Sequence, residues 1–521
     1  MSRGIKAMQF SGDLVGPRAS RWTRFASGLP KWKSWLRSDL LFSLVLGIAF
    51  FLLLRSTPDI PGGDDGYRHV KIASRLIRDP HAALLQPWKL VYFWPKPVDV
   101  WFGYHLPLAP FTLAASLITA AKALAAVVYG AMVCVMLAIL RDLGAFCRKA
   151  WVFLAATGSG MALYRASLAR PYLLSILLVL LVTHFTLRRK PLAVGIASAA
   201  HALSYSIFFL AAFAPAGYVV LRRDKMALKI GIGCLMGLAA GLACNPYFPE
   251  NVRFALAQAF VPLNSGPRLT MEFLPLYMEW INPSWPVVGV WIAAMLRTVW
   301  LWRKRKLEAG PLLLLGMSLA AFAGSIQVGR TFDYFVPLAV LGAAAVISPW
   351  ILESRRNRVD AAGVATVLFV LCALNVAGVY RAMAKTPQAD RFRGASEYLL
   401  ANGHGAIVFN TQWEQYPFLY FWNSRNTYIV GIDPSMMLHQ DARRYWLWRH
   451  IADDETSTCG QPRCGASESR SIDSTVTAEF GAGFVILEHD KNPRLGALLG
   501  RNSAFREVYH DDACAVFAVR N

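Results

Sequence analysis

Charge is scarce in this chain, and negative charge is scarcest. Of 521 residues only 17% are charged, with 32 Asp and Glu against 54 Lys and Arg. Hydrophobic residues make up 55%, and the mean hydropathy is +0.37. That balance excludes an ordinary soluble globular protein and points to a polytopic membrane protein. The formal excess of +22 sits in short clusters between apolar runs. A nucleic-acid protein would gather its cations on one soluble surface instead, so no nucleic-acid partner is expected. A small-residue cleavage site is also missing, because the first apolar run, Leu40–Leu54, is followed by RSTPD. The run is therefore expected to remain as an anchor behind a cytoplasmic basic lead, residues 1–38.

Cysteine is sparse as well, with eight residues. Cys134, Cys147, Cys234, Cys244 and Cys372 lie in or beside apolar runs and are expected to pack as small apolar side chains. Cys459 and Cys464 flank GQPR in the C-terminal segment and are expected to form a disulfide in an oxidising compartment. No further Cys or His follows at metal-ligand spacing, so no metal is expected there.

What is present is a series of apolar runs, near 40–54, 121–140, 150–164, 171–187, 192–205, 206–221, 227–244, 285–302, 311–327, 333–351 and 360–380. Alternate loops are basic: Arg141 to Lys149, Arg188 to Lys190, Arg222 to Lys225, Arg303 to Lys306 and Arg355 to Arg358. By the positive-inside rule these loops face the cytoplasm, which predicts about 11 spans of an inner (plasma) membrane. The N-terminus is then cytoplasmic and the C-terminal domain periplasmic or extracellular. The predicted layout is a polytopic α-helical membrane domain at 39–380 followed by an extracytoplasmic α/β domain at 381–521. Two outward loops are long, 55–120 and 245–284, and both are rich in Pro, Trp and Tyr. Loops of such length in a compact protein are usually functional. In the tail, ASEYLLANG reads as a helix closed by Gly403, with GAIVFN, NTYIVGI, FGAGFVILEHD, FREVYHD and CAVFAVR as strands.

The first outward loop opens on STPDIPGGDDGYRHV, residues 56–70. Its prolines and glycines set a turn that holds two adjacent carboxylates, Asp64 and Asp65, at the membrane surface. From Tyr67 the apolar spacing is that of an amphipathic helix lying along the interface. Three more clusters are expected to face the same compartment: Lys96, Asp99 and His105; Arg165 and Arg170 in RASLARPY; Arg330 and Asp333 in GRTFDYFVP. Arginines near a bilayer are costly unless paired or bound to phosphate. The plain alternatives are an N-cap role for Asp64, an i, i+3 ion pair Arg330–Asp333, and snorkelling by Arg165 and Arg170. His201, in SAAHALSY, reads as a buried, hydrogen-bonded histidine. A carboxylate that accepts or orients a proton, cations that stabilise a growing phosphate charge and elements that hold two lipids in line are the parts of a lipid-phosphate glycosyl transfer.

On these motifs the chain resembles the GT-C superfamily of integral membrane glycosyltransferases, which use polyprenyl-phosphate-linked sugars. DDGYRHVKIASRL is similar to the acidic motif of that family's first extracytoplasmic loop, as in bacterial oligosaccharyltransferases. GYHLPLAPF resembles the following segment in the lipid A aminoarabinose and protein mannosyl transferases. GRTFDYFVPLAVLGAAA resembles the family's late Arg–Tyr–Pro helix start. NTQWEQYPFLYFWNSRNTYIVGIDP is loosely similar to the exported domain around the Trp-rich motif.

The resemblance implies Asp65, then Asp64, as the catalytic carboxylate, Arg330 on the phosphate side, and inversion at the anomeric carbon. His105, Arg165, Arg170, Tyr67 and Lys96 complete the expected substrate- and phosphate-binding set. Two departures stand out. Oligosaccharyltransferases complete a divalent metal site with a second acidic motif, where this chain has the basic YRASLARPY; and WEQY stands where they have Trp-Trp-Asp. Both weigh against protein N-glycosylation, and no cofactor is expected to be required, a divalent metal being the less favoured alternative. The expected activity moves a sugar from a polyprenyl-phosphate donor to a lipid, glycan or protein acceptor at the outer face. The alternatives are a lipid-linked oligosaccharide ligase or polymerase, a lipid-linked sugar transporter, and a non-catalytic assembly subunit. A transporter would place its ionisable site near the bilayer midplane, often between inverted repeats; no such repeat is seen here.

Overall fold

The computed structural model describes residues 29–62, 65–80, 96, 98–264, 282–304, 306–386, 388–431, 433–465 and 467–520. Asp64 lies outside the described residues, as do 81–95 and 265–281 of the two long loops. The apolar runs are helical as expected, but their lengths do not support about 11 crossings. Among the described residues six helices are long and apolar enough to cross a membrane: 37–55, 117–142, 225–243, 282–303, 329–353 and 356–383. A bent pair, Gly160–Ser167 and Pro171–Leu187, turns through 116° and would make a seventh. Pro191–Ser204, Phe208–Arg222 and Ala309–Ser325 are shorter apolar helices. A helix of 14 residues, such as Pro191–Ser204, rises about 21 Å, against a hydrocarbon core of about 30 Å.

Local chemistry explains the broken run. The helix Arg148–Thr157 stops at Gly158, and Ser159 caps the next one by accepting the Ala162 N–H. Ala169 then takes a left-handed φ of 53°, and Pro171, at the first turn of the following helix, has no N–H to leave unpaired. Elsewhere small residues let helices approach closely. A Cβ at Gly237 or Gly241 would collide with the carbonyls of Gly195 or Ala199 on the neighbouring helix.

The C-terminal segment carries one five-stranded sheet, β1 (Ile407–Asn410), β2 (Thr427–Tyr428), β3 (Phe484–Glu488), β4 (Phe505–His510) and β5 (Cys514–Val519). The order is β2-β1-β3-β5-β4, with the first three parallel and β5 antiparallel to both neighbours. Its apolar residues, among them Val408, Phe409, Val485 and Val516, are buried. The strands match those expected from the sequence, and the Cys459–Cys464 disulfide is formed.

Helix α1 (Leu29–Arg55) ends in the loop that leads to α2 (Asp65–Arg78). That loop is held from three directions. From the membrane bundle, Lys122 donates to the Thr57 carbonyl at 2.6 Å. From the linker to the tail, the Ala389 N–H donates to Asp59 Oδ1 at 3.2 Å, while Thr386 Oγ1 accepts the Gly62 N–H at the same distance. From α2 itself, the Tyr67 hydroxyl donates to Asp59 Oδ1 and accepts the Ile60 N–H, both at 3.0 Å. The Tyr67 ring, fully buried, lies 5.2 Å from both Phe418 and Phe421 of α3 (Tyr416–Trp422). Tyr67 is thus placed as a packing and clamping residue, with its hydroxyl engaged inside the protein. Nor does α2 lie free along an interface, because α3 and the helix Phe102–Leu108 cover it.

Tyr67→Phe keeps the ring and deletes two hydrogen bonds, each worth about 1 kcal/mol. Its expected result is a lower thermal unfolding midpoint for the purified protein in detergent, equivalent to about 1–2 kcal/mol. An unchanged midpoint would show that the clamp contributes no stability.

Candidate active site

Asp65 opens α2 with its side chain 35% exposed, and one turn on, Arg68 is buried at 1%. The i, i+3 spacing puts both on one face of the helix, and Arg68 Nη2 lies 3.2 Å from Asp65 Oδ1. The guanidinium stacks over the Trp101 ring, 4.8 Å from its centroid. From Nη2 a chain of buried contacts leads inward. His69 Nε2 is 3.3 Å away, His69 Nδ1 is 2.8 Å from His105 Nε2, and His105 Nδ1 is 2.7 Å from Asp99 Oδ2. The other Asp99 oxygen accepts the Trp101 N–H at 2.9 Å.

The two ends of this chain assign its protons. Arginine only donates and an ionised carboxylate only accepts. His69 Nε2 must therefore be an acceptor, which puts the His69 proton on Nδ1, facing His105 Nε2. The His105 proton is then on Nδ1, facing Asp99. Both imidazoles are neutral and the polarity runs one way. For His69 the pKa is pushed well below its ordinary value by burial first, and the nearby charge of Arg68 acts in the same direction.

Two elements close the site. Gly66 packs where a Cβ would come within 2.9 Å of the Leu168 carbonyl and of Ile60, so a side chain there would push α2 off the bend at 168–170. Tyr104 locks the same bend by donating to the Ala169 carbonyl at 2.8 Å. From the tail, α3 brings Tyr420, whose hydroxyl accepts from Arg75 at 3.1 Å, and Tyr416, within electrostatic reach of Arg68 and Asp65. Burial raises the Tyr416 pKa well above its ordinary value. Among the described residues, Arg68 Nε and Nη1 and the Tyr416 hydroxyl are buried with no hydrogen-bond partner. Unmet buried donors cost about 1–3 kcal/mol each, and those beside the partly exposed Asp65 carboxylate call for a physical reason.

The remaining expected residues fall into distinct settings. His105 is fully buried with both ring nitrogens engaged, so it reaches the site only through His69. Arg170 is half-buried at the start of Pro171–Leu187, and its charge reaches His69. Arg165 is buried and gives its Nε to both Asp333 oxygens, at 2.9 and 2.8 Å, with Tyr172 under its guanidinium. Arg330 is buried in the short turn Gly329–Thr331. Lys96 is 63% exposed and 3.9 Å from Glu250, apart from the buried chain. His201 is buried with Ser175 at 2.7 Å and the Phe208 carbonyl at 3.2 Å, the structural histidine expected.

Sequence reasoning passed over Arg68 and His69. The Asp65-x-x-Arg68 spacing was a usable signal for the first; nothing local announced that His69 would meet His105, 36 residues away. It also missed His450, whose Nε2 lies 3.7 and 3.6 Å from Cys459 and Cys464 Sγ. With the sulfurs bonded to each other, that group offers a metal one ligand in place of three.

No protein-family model matches the sequence, and no curated protein matches it. Solved structures do. The oligosaccharyltransferase AglB from Archaeoglobus fulgidus, in complex with an inhibitory peptide and a dolichol-phosphate, superposes with a TM-score of 0.58 at 11% identity, over 88% of this chain and 70% of that one. ArnT from Cupriavidus metallidurans, bound to undecaprenyl phosphate, gives 0.53 at 13% identity, over 93% and 98%. The mycobacterial arabinofuranosyltransferase AftD gives 0.55 at 14% identity, over 93% of this chain and 41% of its own length. The chain has the GT-C fold. At such identities the likeness is one of architecture, and within the GT-C fold the chemistry of this chain has to be argued from its own residues.

The depressed His69 pKa makes stability depend on pH. The unfolded chain takes up a proton near the ordinary imidazole value of about 6.5, whereas the folded one resists it. Stability is therefore full above that pH and falls as the pH drops through it. Thermal midpoints measured from about pH 7.5 down to about pH 5.5 should decline more steeply for the wild type than for His69→Gln. Parallel profiles would remove His69 as the source.

Proposed function

We propose that this chain transfers a sugar from a polyprenyl-phosphate donor to an acceptor at the outer face of the inner membrane. The observation that carries the reading is the partly exposed Asp65 carboxylate beside buried Arg68, whose Nε and Nη1 have no partner among the described residues, on a GT-C fold. In this reading the acceptor hydroxyl attacks the anomeric carbon and gives its proton to Asp65. The bond from that carbon to the phosphate oxygen breaks, and polyprenyl phosphate leaves. Its growing charge falls to the Arg68 N–H groups, fixed before the reaction begins. A single displacement of this kind inverts the anomeric centre. Arg170 lends positive potential nearby, and Arg330 is a second phosphate-side candidate. Arg165, held by Asp333, is structural.

The carrier is inferred from the site and from the polyprenyl phosphates named with AglB and ArnT. The sheet domain is placed outside, with the N-terminus in the cytoplasm, on the charge pattern of the loops. An oligosaccharyltransferase-like divalent cation would need further carboxylates around Asp65. Among the described residues Asp65 has Arg68 at 3.2 Å, and Asp64 lies outside them. No step is routed through a cation, and metal dependence is read from the chelator arm of the test.

The test is release of free polyprenyl phosphate by protein in nanodiscs, given a panel of polyprenyl-phosphate sugars with and without chelator. Turnover should survive the chelator and fall by about 10²-fold or more in Asp65→Asn. In Arg68→Lys, which loses the planar fork, it should fall by about 10² to 10³. Loss of turnover with chelator would restore the metal. No release from any donor, while Asp65→Asn still complements the cell, would point to a transporter or an assembly subunit.

A further inference from the structure

The buried Asp99–His105–His69 chain touches no atom of the proposed reaction, yet it is complete and ends on Arg68, whose Nε and Nη1 have no partner among the described residues. Its geometry gives it a task. Arg68 Nη2 must find an acceptor on its inner side, and the ring nitrogen it meets there, His69 Nε2, serves only while the His69 proton is on Nδ1. His105 holds that proton in place by accepting it, and can do so only while its own proton faces Asp99. We propose that Asp99, His105 and His69 are positioning residues forming a tautomer lock, which holds Arg68 so that Nε and Nη1 face the phosphate of the donor. The proposal rests on the reading that this site takes a polyprenyl phosphate.

Asp99→Asn is the informative substitution because it is isosteric and reverses the polarity. The oxygen facing the Trp101 N–H must stay an oxygen, since that contact needs an acceptor. The new amide NH2 therefore faces His105 Nδ1. His105 must then accept there and donate from Nε2, His69 must accept at Nδ1, and its Nε2–H ends up against the Arg68 N–H. The wrong tautomer in an intact frame is a known consequence of such an exchange in a carboxylate–histidine pair.

The experiment measures binding of undecaprenyl phosphate to full-length protein in nanodiscs. Asp99→Asn should weaken binding by about tenfold to a hundredfold, the scale of a small misplacement of a binding group. Adding His69→Gln to it should recover at least half of that loss on a logarithmic scale, since the glutamine amide can turn its oxygen to Arg68 whatever His105 does. A role in packing alone would be worsened by the second change. Binding at wild-type strength in Asp99→Asn, or no recovery in the double variant, overturns the lock. If Asp99→Asn fails to fold, His69→Gln and His69→Leu are compared, one keeping an acceptor for Arg68 and the other none. A tenfold gap in favour of glutamine supports the lock, and equal binding overturns it. A wild type that binds no undecaprenyl phosphate removes the donor reading itself, and the lock with it.

Discussion

A guanidinium buried next to a partly exposed carboxylate sets the terms for everything around it. Removing a cation from water costs several kcal/mol unless its hydrogens are matched and its charge is answered. Arg68 is answered on one side by Asp65 and on another by His69, and Trp101 covers its face. Two of its nitrogens are left open among the described residues. Charged donors that the fold buries without matching them give up stability, and electrostatic preorganisation toward an anion is built in this way.

Such an arrangement demands a stiff frame, and the frame draws on the whole chain. The loop before Asp65 is tied to the bundle through Lys122 and to the tail linker through Asp59 and Gly62. The far side of α2 is covered by α3, part of the sheet-bearing segment, and its near side by the bend at 168–170. One continuous apolar cluster runs from the membrane helices through Tyr67 to Phe418, Tyr416 and Val408. Movement of the tail would therefore move the wall of the site directly, with no relay of intermediate parts required. This gives the C-terminal segment a mechanical reason to be present beyond any contact with an acceptor.

How much of this was legible beforehand depended on whether the information was local. The helix read from Tyr67 onward, which begins at Asp65, and the strands were legible in periodicity and turn residues, and the Cys459–Cys464 bridge in spacing and compartment. The run at 150–164 misled the count because hydropathy sums over Gly158 and Ser159, whereas a backbone does not continue through them. His105 was rightly noticed and wrongly imagined. A histidine in an outward loop beside aromatics looks like a ligand group, and only the tertiary meeting with His69 and Asp99 shows both nitrogens occupied. Arg68 was passed over because a lone arginine in an amphipathic helix reads as a solvated face until the helix is seen to be covered on both sides.

Arg165, singled out from the sequence, and Arg68, which was not, differ in where their donors go. Arg165 is as deeply placed as Arg68, but its Nε is committed to both Asp333 oxygens and its plane to Tyr172. That pairing ties two helices together. Arg68 has a carboxylate as well, yet that contact is to one oxygen, through one nitrogen shared with a histidine. The expense of an arginine near a bilayer, taken alone, distinguishes neither case. What separates a structural arginine from one held ready for phosphate is the count of donors still open after the protein has satisfied all it can, and that count follows from packing rather than from composition.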